Sequence, residues 1–283
     1  VGGNIRYYGA SPNNYIYFNC SDYSNQSSST CETWRIIGTF GNKTKLIRNS
    51  SIGEYSWDNK DTSTGAKSAY GKNDWTDARL MKLLNQGYES ETTGGSLYYN
   101  SGSGNCYSGQ NNATTACDFT STGIKNDTTR NMISDNTYSL LGWNNNSIYS
   151  NQIYEYERST GSVYTGTPTS WTGKVGLAYV SDYGYAADLS KCTKQLGSYN
   201  DSTCASNNWM KAIITNNSTN ASGWLLTHYY GDSCDTWRTY WAGNAGYSGA
   251  YYAFEVTPVL YLKYRISINS GTGTSSDPYQ IST

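Results

Sequence analysis

The chain has 283 residues, enough to bury a sizeable core of its own, so its size demands neither metal nor partner for folding. Charged residues make up only 14%, against an ordinary ~25%, and 20 Lys plus Arg nearly balance 21 Asp plus Glu. Without a basic stripe, nucleic acid and anionic membrane surfaces are poor partners. Apolar runs such as Val259–Leu262 fall far short of the ~20 residues that span a bilayer, so no membrane insertion by this chain is expected. The chain opens at Val1, and we expect that a removed leading segment held its address.

Residues 14–19 (NYIYFN), 33–40 (TWRIIGTF) and 44–48 (TKLIR) are rich in β-branched and aromatic side chains and read as three strands. The last two are joined as a hairpin through Gly41, Asn42 and Lys43. At Asp74-Trp75-Thr76-Asp77 the period turns helical, with an Asp cap and an acid three residues on. Leu80, Leu83 and Leu84 form one face of a short helix that Gly87 ends. A second helix is expected from about Asn126 to Leu141, on the stripe Met132, Ile133, Leu140 and Leu141, and a third over Asn151 to Arg158. Lys174–Val180 reads as a buried strand, and 186–222 as a long polar excursion. Strands then dominate to about Ile268. The tail SGTGTSSDPYQIST reads as a linker or a domain end. Strands first and last with helices between them argue an α+β fold, with one domain over residues 1–268 and a tail over 269–283.

Seven cysteines are present. Cys20 and Cys31, Cys106 and Cys117, and Cys192 and Cys204 each enclose a polar loop of ten or eleven residues, the second within a Gly/Ser/Asn-rich stretch at 93–116. Zinc sites want tighter CxxC-type spacing with His partners, and the chain has one His, His228. Three local disulfides and an oxidising, extracellular setting are the better reading, with Cys234 left over. Asn25, Asn42, Asn49, Asn112, Asn126, Asn200, Asn216 and Asn220 open N-x-S/T triplets, which matter only if the source glycosylates them.

Little points to catalysis. His228 has no nearby carboxylate or Cys in sequence and reads as structural. Glu155 and Glu157 lie two apart on an expected helix, point to different faces and read as a solvated surface. Asn73, Asp74 and Asp77 match no dense calcium loop and are explained by capping. Asp182 reads as a turn or N-cap residue. No phosphate loop, dinucleotide fingerprint or GxSxG elbow occurs. We expect no enzyme, no cofactor and no metal.

Recognition has positive support. Between the apolar runs Gly223–Thr227 and Phe254–Leu262 lies a stretch of Tyr, Trp, Gly, Asn, Asp, Ser and Thr. Tyr and Trp give wide contact with few rotatable bonds, while Ser, Gly and Asn give adaptable hydrogen bonds. The same composition also suits ordinary strands and turns. On the first reading Tyr229, Tyr230, Trp237, Arg238, Tyr240, Trp241, Tyr247, Tyr251 and Tyr252 form a displayed loop that binds a glycan or a protein. The competing reading is a filament or surface-layer subunit that packs these rings against copies of itself.

The strands WRIIGTF and KLIRN, the helix DARLMKLLN, the run WTGKVGLAYVSDYGYA and the closing VTPVLYLK come in an order that resembles an uncharacterised family of bacterial cell-surface domains. That family is similar to C-type-lectin-like folds in the variant shared with formylglycine-generating enzymes, and is sometimes attached to pilin-like N-terminal helices. The likeness covers nearly the whole chain. It implies mixed or antiparallel sheets, two to three short helices, long disulfide-stapled loops and a bacterial surface location. The family's oxidases rely on two neighbouring C-terminal cysteines where this chain offers Cys234 alone. Trp57-Asp58-Asn59 approaches the calcium-lectin WND triplet only with its polar pair reversed, and no partner triplet is present.

Overall fold

The computed structural model describes residues 3–59, 70–85, 97–106 and 115–282. The expected Gly87 stop, the Asn112 triplet and half of the 93–116 stretch lie outside the described residues. The chain forms a mixed α+β fold with mostly antiparallel sheets, a few short helices and three disulfides.

The main sheet contains β1 (Ile5–Arg6), β2 (Tyr15–Phe18), β3 (Glu32–Phe40), β4 (Lys43–Arg48), β10 (Val175–Gly176) and β15 (Val259–Tyr261). Its order is β1-β3-β4-β15-β10 with β2 also on β3, and every pair is antiparallel. A second sheet runs β13 (Ala245–Gly249), β12 (Asp235–Thr239), β11 (Gly223–Trp224), β14 (Ala253–Glu255) and β5 (Glu54–Ser56). Its β11–β14 pair is parallel. Hairpins β6 (Ser103–Cys106) with β7 (Thr115–Asp118), β8 (Asn136–Ser139) with β9 (Ser170–Gly173), and β16 (Ile268–Ser270) with β17 (Gln280–Ile281) complete the strands. The helices are α1 (Arg79–Leu84), α2 (Asp127–Met132), α3 (Ser150–Glu155), α4 (Val180–Tyr185), α5 (Ser202–Ser206) and α6 (Trp209–Ile214).

The β3–β4 hairpin shows why the sheet sits where it does. Gly41 supplies the left-handed turn at φ +61°, and the strands then alternate faces. Ile36, Leu46 and Leu260 join one apolar cluster with Trp34, Trp57 and Trp75, while Ile37, Ile47 and Val259 join a second with Tyr183, Trp209 and Trp237. The main sheet therefore divides two cores.

Into the second core the sheet projects a charge. Lys45, one pleat from Ile47, is fully buried and donates to Asp182, which is equally buried on α4. Arg6 of β1 donates to the other Asp182 oxygen at 2.8 Å, and the Tyr179 amide closes a capping box on the same carboxylate at 3.0 Å. Burial alone raises the pKa of Asp182, but the charges of Lys45, Arg6 and Arg158 overcome it and hold this carboxyl well below the usual range. Beside it, Glu157 accepts from the Ser181 amide at 3.0 Å, from the Thr227 hydroxyl at 2.6 Å and from the Ser181 hydroxyl, and pairs with Arg158 at 2.9 Å. The expectation of a solvated Glu157 is thus overturned, although Glu155 is exposed. Residues Tyr156–Thr160 form a π turn, which re-aims the side chains that follow α3 and brings Glu157 inward.

Other expectations need correction too. The helix over Asn126 to Leu141 stops at Met132. Ile133 turns extended there and bridges to Leu262, and Tyr138 and Leu140 are then buried two apart, a strand period, with β8 paired to β9. α1 begins only at Arg79, since Asp74 spends its carboxylate on the Thr76 amide and hydroxyl. The Lys174–Val180 strand shrinks to β10. The polar excursion holds α5 and α6, capped by Asp201 and Asn208, each too short to leave a periodic signature. The three Cys pairs form as expected. The tail packs along the main sheet, its Tyr279 amide and carbonyl bonded to Tyr15 and Tyr17 of β2.

Replacing Asp182 by Asn should lower stability by about 3–5 kcal/mol, because Lys45 is left buried without its counter-charge. In the unchanged protein this contribution is present above the unfolded carboxyl value of 3.8 and is lost as pH falls below it, since the folded value lies lower still. Urea unfolding of both proteins at neutral pH and below pH 4 should show the gap closing in acid.

Candidate functional site

The stretch expected to be a displayed loop has a strand hairpin at its centre, β12 and β13, whose register pairs Trp237 with Tyr247 and Arg238 with Gly246. Strand alternation therefore sends the paired Trp237 and Tyr247 to one face and Arg238 to the other.

One face points into the second core. Trp237 is 0% exposed and donates its ring N–H to the Trp143 carbonyl at 3.1 Å. Tyr229, also buried, stacks on Tyr247 at 3.9 Å, and both contact Trp237 edge-on. Tyr230 meets Trp143 at 5.7 Å, and Trp143 stacks on Tyr156 at 3.9 Å. The expectation that Trp237 and Tyr229 are displayed is corrected: they are packing side chains under the sheet.

The other face carries a continuous ladder. The Arg238 guanidinium lies 3.5 Å from the centre of the Tyr240 ring and 4.7 Å from that of Phe254. Phe254 is stacked with Tyr252 at 5.6 Å and 14°, Tyr252 with Tyr251 at 4.2 Å, and Tyr70 tilts onto Tyr251 at 5.1 Å. Beneath it Trp224, a core residue, touches Phe254 at 4.6 Å and fixes its own ring by donating to the Tyr55 carbonyl at 2.9 Å. Arg238 is oriented by Ser248, which accepts from Nε at 2.7 Å, and by the Ser222 hydroxyl. Burial lowers its pKa, which the facing rings of Tyr240 and Tyr252 partly offset. Tyr252 and Tyr70 are each 45% exposed, so the ladder has a wet end.

Four of the nine sequence-selected residues, Arg238, Tyr240, Tyr251 and Tyr252, thus come together, while Tyr229, Tyr230, Trp237 and Tyr247 form the inner group. Trp241 stands apart at the hairpin tip, 50% exposed, beside a shallow cavity lined by Lys211 and Thr215 of the α6 region. Phe254 and Tyr70 were missed. The i, i+2 spacing of Tyr252 and Phe254 marks one strand face, whereas nothing local ties Tyr70 to them.

At the start of β12, donor atoms of Asp232, Cys234 and Asp235 lie within 4.8 Å of one another. Asp232 already accepts from the amides of Cys234 at 2.9 Å and Asp235 at 2.7 Å, an Asx turn that accounts for the grouping without a metal. Burial and the neighbouring Asp232 push Asp235 up to about 6. His228 accepts from the Tyr164 amide at 2.9 Å, and burial, partly offset by Asp232, takes it down to about 4, so it is a neutral structural acceptor at pH 7. Asp58 of the WND-like triplet pairs with Arg79 at 2.8 Å and accepts from the Lys72 amide at 2.9 Å, both framework bonds.

Comparison with models of protein families, with curated proteins and with solved structures finds no match to this chain.

His228 and Asp235 oppose each other in acid. Between pH 6.5 and about 4 the unfolded chain takes up the His228 proton first, so stability falls as pH drops; between about 6 and 3.8 the folded chain takes up the Asp235 proton first, so stability rises. Relative to the unchanged protein, His228→Gln should therefore gain stability as pH falls through this window and Asp235→Asn should lose it. Urea midpoints from pH 7 to 4 would expose the two slopes.

Proposed function

We propose that this chain is an extracellular, adhesin-like recognition domain that binds a glycan or a protein through the ladder Tyr240, Arg238, Phe254, Tyr252, Tyr251 and Tyr70. We place it, as part of the same reading, among bacterial cell-surface domains of C-type-lectin-like fold. The observation that carries the function is the ladder itself. Its rings and guanidinium touch one after another, anchored by Arg238 on β12, by Phe254 on β14 and by Trp224 beneath, so a partner meets a surface with little ordering left to do. Aromatic and Arg side chains of this kind anchor interfaces, and ring faces also suit the apolar faces of sugars. Three disulfides fit a secreted or extracellular protein, and no helix among the described residues is long and apolar enough to cross a membrane.

A second reading, a subunit of an extracellular filament or surface layer, is favoured by Ile5, Tyr8, Tyr264 and Ile268, large apolar side chains that are all strongly exposed. Negative-stain microscopy and sizing of the purified protein test it: ordered fibres without added ligand support a subunit, and a monomer at high concentration removes that reading.

For the recognition reading, the double change Tyr251→Ala and Tyr252→Ala should abolish capture on a glycan array or a panel of extracellular proteins while moving the melting temperature by only a few degrees, since Tyr252 is at the wet end of the ladder. Trp237→Ala should instead cost about 3–5 kcal/mol of stability as a core truncation. Binding that survives the double change would place the site elsewhere.

A further inference from the structure

Away from the ladder, a cavity of about 430 Å³ is lined by Asn4, Arg6, Tyr8, Tyr185, Asp188 and Ser190, among others. The Arg6 side chain is only 7% exposed. One of its nitrogens is bound by Asp182 and the guanidinium lies over the rings of Phe40, Tyr185 and Tyr154, but Nε and Nη2 are buried with no hydrogen-bond partner among the described residues. The Tyr185 hydroxyl on the same wall is likewise buried and unpartnered. Spare donors of this kind are costly unless something accepts from them.

The surrounding charge points to what that is. Arg6, Lys45 and Arg158 are three buried or part-buried cations, and Asp182 and Glu157 are the two carboxylates that pair with them. Within this set one positive charge is left over, with the exposed Glu155 carboxylate also acting on Tyr185. Asp188 on the cavity wall does not cancel it, because it accepts from the Ser190 hydroxyl at 2.6 Å and amide at 3.1 Å and faces Lys191 at 3.4 Å. The remaining wall is amphipathic. Tyr8 is 61% exposed and offers a ring face, while Asn4, whose amide donates to Tyr154 at 3.0 Å, keeps its carbonyl for a hydroxyl.

We infer that this cavity binds a monosaccharide bearing a carboxylate, of the hexuronic acid class. Its carboxylate accepts from Arg6 and Tyr185, its hydroxyls meet Asn4, Asp188 and Ser190, and its ring lies against Tyr8. Because the spare nitrogens are shielded, with Tyr185 among the rings that cover them, binding requires a side-chain shift in the wall.

Calorimetric titration of the purified chain with D-glucuronate, D-glucose and N-acetyl-dialanine tests this. Saturable binding of glucuronate and none of glucose is expected. Arg6→Gln should weaken glucuronate at least roughly tenfold through loss of a charge-assisted bond. Since Arg6 also supports Asp182, Tyr185→Phe keeps the test readable if that variant fails to fold. It should weaken binding roughly threefold or more while leaving the melting temperature unchanged or raised, because it removes a buried hydroxyl that has no partner. The Tyr251→Ala, Tyr252→Ala protein should bind glucuronate as before, which separates this site from the ladder. Glucose binding as tightly as glucuronate, no saturable glucuronate binding, or unchanged affinity in Tyr185→Phe would overturn the inference. Preference for the dipeptide would overturn the sugar assignment in favour of a peptide carboxyl terminus.

Discussion

Asp182 is the point at which the fold is tied. Its two oxygens hold Arg6 from the N-terminal strand and Lys45 from the centre of the main sheet, and its capping bond fixes the start of α4. One residue earlier, Ser181 passes the tie to Glu157 and so to Arg158 and Thr227. Segments from the first tenth of the chain to its last quarter thus meet in one polar network inside an apolar core. Hydrophobic side chains of equal volume often pack as stably as a buried ion pair, but they have no direction, whereas a carboxylate with two distinct oxygens accepts only an arrangement that delivers both cations.

The same economy of direction governs the C-terminal sheet. Trp237 and Arg238 are neighbours in sequence and opposites in use, one filling the core and the other threading a row of rings. Arg238 on β12 and Phe254 on β14 anchor the row, the turn residues Tyr251 and Tyr252 extend it, and the inner group of Tyr229, Trp237 and Tyr247 packs beneath the hairpin.

Much of this was legible from the residues. Strands β2, β3 and β4, the local Cys pairs, the structural role of His228 and the α+β class follow from alternation, spacing and the single imidazole. What was not legible depended on partners distant in sequence. Glu157 looks like half of an exposed acidic pair until Thr227 and Ser181 are brought to it. Asp182 looks like a cap, which it is, but nothing near it announces Lys45. The helices of the polar excursion are too short for periodicity, and the display of the C-terminal aromatics was misjudged because composition says what a segment contains and only strand register says which way each ring faces.

The three disulfides all join cysteines 11 or 12 residues apart, and none connects one part of the fold to another. Six cysteines permit about 15 pairings, yet short-range closure favours these partners in a chain with no tertiary structure at all. Each of the three cross-links therefore closes within its own short segment, and none of them constrains the long-range assembly around Asp182.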